Sequence, residues 1–136
     1  MSENAPGIIK DRDLPAPAID PTNKPFWDAA REGRLMVGFC HDTDRHFFYP
    51  RGSSPFTLSP NVSLVEAKGT GTIYSFSIMR VATPYAIAYV ELDEGPRILT
   101  NIVDCPLDSI RIGQKVKVVF KPTTAEGAPV PMFAPV

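Results

Sequence analysis

The chain has 136 residues, 43% of them hydrophobic, which is enough for one compact core and too much for a disordered or collagen-like polypeptide. Fourteen Lys and Arg against fifteen Asp and Glu leave a formal charge of −1, which argues against a protein held on nucleic acid through its phosphates. Two cysteines provide no disulfide framework, the N-terminus lacks a signal pattern, and no apolar run reaches membrane-spanning length, so a cytoplasmic protein without a membrane segment is expected.

In chain order, residues 1–22 carry Pro6, Pro15, Pro17 and Pro21 among small and charged residues, a composition that builds no core and reads as an extended arm. The stretch TNKPFWDAAREG then signals a helix: Thr22 or Asn23 as cap, Pro25 in the first turn, Gly33 as the stop. Phe26, Ala29 and Ala30 share one face at helical spacing, and Trp27 and Arg31 share the adjacent one. From Leu35 the period changes. LMVGFC and RHFFYP read as two short strands around the turn HDTD, with Cys40 at the mouth of the hairpin. Residues 23–60 thus form a helix-and-hairpin segment, and 61–136 a third segment ending in a proline-rich tail.

Five strand-like runs follow: VSLVEAKG, GTIYSFSIMR, YAIAYVELD, PRILTNIVD and KVKVVF. Alternation places Tyr74, Phe76 and Ile78 on one face of the second run, Glu94-Gly95 marks a tight turn between the third and fourth, and Val116, Val118 and Phe120 alternate with lysines in the last. Five short antiparallel strands curled by glycines suggest a small closed barrel, for which an OB-fold and an SH3-like barrel both remain open on pattern alone.

The ordered set FWDAAREGRL, YPR, GTGTIYSF, PYAIAYVELDEGPRILTNIV, IRIGQKVKVVF and PMFAP resembles one family along nearly the whole chain, from Phe26 to Pro135. VELDEGPR (90–97) and RIGQKV (111–116) are its most specific pieces. The family is that of acyl-CoA-associated proteins carrying the domain of unknown function thirty-five, which join an N-terminal helix and a rubredoxin-like zinc ribbon to a C-terminal OB-fold. The resemblance implies a mainly β protein with a five-stranded OB-fold barrel. It also implies a non-catalytic accessory subunit that docks on a thiolase-like or aldolase partner and helps form the channel for an acyl-CoA thioester. Under it, Phe26, Trp27, Arg31, Arg51, Met132 and Phe133 are the candidates for contact with the partner or acyl-CoA. Trp and Arg are favoured interface anchors, Arg51 suits a CoA phosphate or a local salt bridge, and the tail strip lies on another surface or on the chain's own barrel.

The family's ribbon carries four cysteine ligands, and on this chain their positions fall at Cys40, Thr43, Ser54 and Thr57, of which only the first is a thiol. Neutral hydroxyls are poor, hard ligands for zinc, so the resemblance implies a degenerate ribbon that has lost its metal. Structural zinc in small fingers contributes on the order of 10 kcal/mol of folding free energy. Phe39, Phe47, Phe48, Tyr49 and Phe56 crowd the same stretch, and each can bury roughly 150–250 Å². A dry aromatic cluster in place of the ion is therefore expected.

Other chemistry is thinly represented. His41, Asp42, Asp44 and His46 read as a polar hairpin tip whose aspartates bond their own backbone. His41, next to Cys40 on a strand, points to the opposite face, which leaves the thiol without a base; Cys105 has no evident one. Glu91, Asp93 and Glu94 read as a charged hairpin end that pins register. No catalytic residue is nominated, and a standalone hydrolase has no residue set to support it. The alternative class, an OB-fold binder of single-stranded nucleic acid, would use Tyr74, Phe76, Tyr85 and Tyr89 as stacking platforms. It lacks a basic groove beside them.

Overall fold

The computed structural model describes residues 13–136, so most of the predicted arm lies outside the described residues. The part inside is extended, and the Leu14 carbonyl accepts the Thr124 N–H at 2.8 Å. The chain then turns on Asp20, whose carboxylate accepts the N–H groups of Thr22 and Asn23 at 2.8 and 2.9 Å, while Asn23 accepts the Asp20 N–H. The local Asx-type turn so formed launches helix α1 (Lys24–Arg31), with Pro25 in its first turn. Phe26, Ala29 and Ala30 are buried, as the helical spacing predicts, and Gly33 ends the helix at φ +77°, a left-handed value that suits glycine.

Strands β1 (Met36–Cys40), β2 (Arg45–Phe47) and β3 (Val62–Glu66) form a three-stranded sheet in the order β2-β1-β3. The first two are the predicted hairpin. The third is the first of the five runs expected in the barrel, and its place is elsewhere: β3 pairs antiparallel with β1 from Met36↔Glu66 to Cys40↔Val62. The barrel closes in the order β4 (Thr70–Met79), β5 (Tyr85–Leu92), β6 (Arg97–Ile102), β8 (Val130–Pro135), β7 (Lys115–Lys121), with β7 returning to β4. β6 and β8 run parallel and every other barrel neighbour antiparallel, a five-stranded OB-fold.

The missing fifth strand is the tail. Met132 and Phe133, candidates for a strip on a partner surface, instead sit in β8, and Phe133 is 0% exposed in the barrel core. Prolines obscure this strand because they cannot donate to a ladder. Here β8 meets β7 along six residues but β6 only at Ile102↔Phe133, so Pro131 and Pro135 are accommodated. A second correction lies in β4. The register shifts between Ile73 and Ser75, so Tyr74 swings to the outside while Ile73, Phe76 and Ile78 pack on the core. Such a bulge breaks strict alternation, and Tyr74 does not share a face with Phe76. The core runs unbroken from Phe26, Leu35 and Val37 under the helix to Ile73, Val90, Ile102, Val116 and Phe133 in the barrel.

Candidate functional site

Two clefts meet at Arg51. The larger, about 500 Å³, opens between the ribbon and the β5–β6 turn, and its walls include Arg45, Phe47, Phe48, Arg51, Phe56 and Arg97. Arg45 lies with Cζ 3.8 Å above the Phe56 ring centroid, and Arg51 with Cζ 5.9 Å from that of Phe47. Phe47 and Phe56 meet edge to face at 6.3 Å, so two guanidiniums flank one aromatic pair. Neither arginine has a carboxylate partner among the described residues; Arg51 donates from Nε to the Tyr49 carbonyl at 3.2 Å. Arg97 is different: it stacks over Tyr74 at 3.7 Å and pairs with Glu91 at 3.2 Å. Guanidiniums laid on rings keep their terminal N–H groups directed outward for oxyanions, a geometry suited to pairing with two oxygens of a phosphate or carboxylate.

The smaller cleft, about 360 Å³, runs past Pro25, Phe26, Pro50, Arg51 and Leu64. It brings Phe26 and Arg51 together, although Phe26 is buried and packs edge to face on Trp27 at 4.9 Å and on Phe48 at 5.8 Å. Trp27 is half-buried against the core. Arg31 is exposed and reaches the other way, toward the Glu126 carbonyl at 3.4 Å. Arg45, which sequence reasoning missed, looked like an ordinary strand-edge arginine; its value lies in the fold that sets it beside Arg51.

The expected dry aromatic cluster does not form. Phe47 is buried at 4% exposure, but Phe39 and Phe48 are half-buried, Phe56 is 37% exposed and Tyr49 59%. The rings fall into separate groups: Phe39 packs on His41 and His46, Phe47 on Phe56, and Phe48, just past the end of β2, on Phe26 and Tyr49. Polar groups instead fill the space between the knuckles. Cys40 is fully enclosed, and burial, which raises its pKa, is outweighed by hydrogen bonds from the Ser54 and Thr43 hydroxyls and from backbone N–H groups of Thr43 and Asp42, so the thiol is lowered to about 7. Ser54, 1% exposed, accepts from the N–H groups of Phe56 and Thr57 at 3.0 and 3.2 Å. Hydrogen bonds from Asn61, Thr57 and Ser59 hold the Asp42 carboxyl below its usual range.

The four ribbon positions thus offer one thiol and three hydroxyls, a donor set that does not fit zinc. Among the described residues no group of three or more His, Cys, Asp or Glu converges on a metal-sized space. The other polar residues are engaged structurally: Glu91 on Arg97, Asp93 on Thr70, Glu94 on the Lys68 N–H at 2.8 Å. Burial pushes the Cys105 thiol up, which removes it as a nucleophile. Of the proposed stacking platforms, Tyr74 and Tyr89 are exposed and Phe76 and Tyr85 half-buried. No helix among the described residues is long and apolar enough to cross a membrane.

Comparison with known proteins agrees with the fold. Residues 27–53 match the ChsH2 rubredoxin-like zinc ribbon domain, and residues 64–121 the ChsH2 C-terminal OB-fold domain. A probable enoyl-CoA hydratase alpha subunit of Thermomonospora curvata is 35% identical over 108 residues, 75% of this chain but 34% of that protein, so the chain spans about a third of its length. A DUF35 domain-containing scaffold protein of Methanocaldococcus jannaschii is 37% identical over 110 residues, 74% of this chain and 78% of the relative. Among solved structures, a chain of an Ltp2-ChsH2(DUF35) aldolase superposes with a TM-score of 0.75 at 33% identity, over 88% of this chain and 98% of that one. Carrying the ribbon and the barrel in the same order and at that identity, the chain belongs to the family of DUF35 domain-containing scaffold proteins.

Proposed function

We propose that this chain is a non-catalytic accessory subunit that docks on a thiolase-like or aldolase partner and helps form the partner's acyl-CoA channel. The observation that carries the reading is its likeness, along nearly its full length, to a chain of the Ltp2-ChsH2(DUF35) aldolase. The chemistry supports it. The two thiols are buried and the hairpin-end carboxylates are engaged with neighbours, which leaves the described residues with binding groups in place of a nucleophile and base.

The cleft at Arg45 and Arg51 is the surface best suited to acyl-CoA, because guanidiniums without carboxylate partners beside the exposed Phe56 ring match phosphate oxygens and an adenine ring. Trp27 and Arg31 on the helix supply candidate anchors for the protein partner. The test is affinity purification from the native host followed by thioester turnover assays on the recovered complex and on the isolated chain. Recovery of a thiolase- or aldolase-type enzyme whose turnover depends on this chain supports the reading. Turnover by the isolated chain, or salt-sensitive binding of single-stranded DNA with no enzyme recovered, overturns it.

A further inference from the structure

The ribbon of this chain keeps the arrangement of two apposed knuckles, 40–43 and 54–57, with a donor set unfit for the family's ion. What spans the gap is a set of hydrogen bonds between segments far apart in sequence. Asp42 Oδ2 accepts the Thr57 hydroxyl at 3.0 Å, and Asp42 Oδ1 accepts Asn61 Nδ2–H at 3.0 Å. Thr57 Oγ1 in turn accepts the Ser59 N–H at 3.3 Å, and Ser59 Oγ the Asn61 N–H at 3.0 Å. Two backbone bonds run alongside: His41 N–H to the Asn61 carbonyl at 3.1 Å and Ser54 N–H to the Ser59 carbonyl at 2.8 Å. Beneath them, Cys40 and Ser54 are both buried.

We propose that a polar clasp centred on Asp42 has replaced zinc as the cross-link between the two knuckles, and that the backbone beneath it still holds positions 40, 43, 54 and 57 where four thiolates would bind the metal. Two of the former ligand positions, 54 and 57, have a defined use in the clasp. Thr57 ties one knuckle to the other through Asp42, and Ser54 receives the two amides of its own turn. Both Asp42 oxygens are taken, each by a group from the opposite knuckle and its following loop, fifteen and nineteen residues away. One side chain therefore does for the chain path what a four-coordinate ion does in a ribbon. A carboxylate accepting two hydrogen bonds is a stronger link than a neutral pair.

The full-length chain is purified, its zinc content measured by elemental analysis, and its unfolding midpoint compared with and without EDTA. Substoichiometric zinc and an unchanged midpoint are expected; stoichiometric zinc whose removal lowers the midpoint overturns the proposal. Asp42→Asn and Thr57→Val are expected each to lower the midpoint by about 2–6 °C. In both variants, amide exchange at position 57 should quicken while barrel amides keep their protection. The double variant should lose less than the sum of the two single losses, since the Thr57 bond is common to both changes while Asp42→Asn also disturbs the bond from Asn61; additive losses overturn the claim of a shared link, and so does an unchanged midpoint in Thr57→Val. The triple variant Thr43→Cys/Ser54→Cys/Thr57→Cys is expected to take up stoichiometric zinc and to become EDTA-sensitive. Failure to take up zinc, in a variant whose barrel amides remain protected, overturns the claim that the knuckle backbone is retained.

Discussion

The ring of Phe47 lies so tightly over Gly38, its cross-strand partner in the ribbon, that a Cβ built on Gly38 would clash with the ring's Cζ. This contact is what seats the one fully buried aromatic of the hairpin, and it needs a residue with no side chain on the facing strand. Gly38→Ala is expected to cost about 1–3 kcal/mol through forced displacement of the ring, and Phe47→Ala about 3–5 kcal/mol through the cavity. Chemical denaturation of both variants checks this; a Gly38→Ala variant as stable as the parent would mean the ring moves aside freely.

Phe133 closes the barrel from a strand that composition presents as a tail. Its ring is wholly enclosed among core residues, and its carbonyl accepts the Val103 N–H at 2.8 Å. Phe133→Ala is expected to destabilise the chain by about 3–5 kcal/mol, whereas a flexible docking strip would tolerate the change with loss of partner binding alone. Truncation before Val130 removes the strand between β6 and β7 and is expected to abolish cooperative unfolding. A truncated chain with a normal thermal transition would show that the barrel does not need β8.

Local signals in the sequence were faithful where the structure they encode is local. Gly33 stops the helix, Glu94-Gly95 turns the β5–β6 hairpin, and Val116 points inward from a strand whose lysines point out. Pairing partners beyond the tight hairpins were not legible, because alternation marks a strand without naming its neighbour. VSLVE has a strand pattern, yet it joins the ribbon through β1, thirty residues upstream by register at Met36↔Glu66. The bulge at Tyr74 and the prolines of β8 hid in the same way, each breaking the regular pattern on which strand reading rests. In the ribbon the rings drew attention by their number, but the fold sends Phe47 toward Phe56 and Phe48 toward Phe26. Asp42 looked like any turn aspartate, and only the fold shows that its partners are Thr57 and Asn61.

The raised pKa of Cys105 has a consequence that can be read by titration. Burial is the main cause, the hydrogen bond from Ser109 opposes it, and the Asp104 carboxylate adds to it. A thiol raised in the folded state contributes stability that is fully present below the unfolded thiol's pKa and is lost as pH rises through the folded value. Native chain is therefore expected to lose stability above about pH 9, by more than a Cys105→Ala variant does. Cys105 should also resist alkylation at pH 8 until the chain unfolds. Equal alkaline slopes in the two proteins, or rapid labelling of native Cys105, would contradict its enclosure.

Arg45 and Arg51 test the cleft without testing the fold. Both are exposed, neither has a carboxylate partner among the described residues, and both lie on rings that stay packed when the charge is removed. Arg45→Gln and Arg51→Gln are expected to leave the unfolding midpoint within a degree or two of the parent, because surface cation–π contacts contribute only about 0.5–1 kcal/mol. If the cleft receives the phosphates of acyl-CoA, each variant loses hydrogen bonds to a charged group worth about 1.5–3 kcal/mol, a rise of roughly 10–100-fold in the KM of the assembled complex. Assays with acyl-CoA and with the matching acyl-pantetheine separate the sources: the penalty should vanish for the substrate that lacks the nucleotide. A penalty of equal size for both substrates would assign the two arginines to the protein partner, since acidic groups on a docked surface are felt whichever thioester enters the channel.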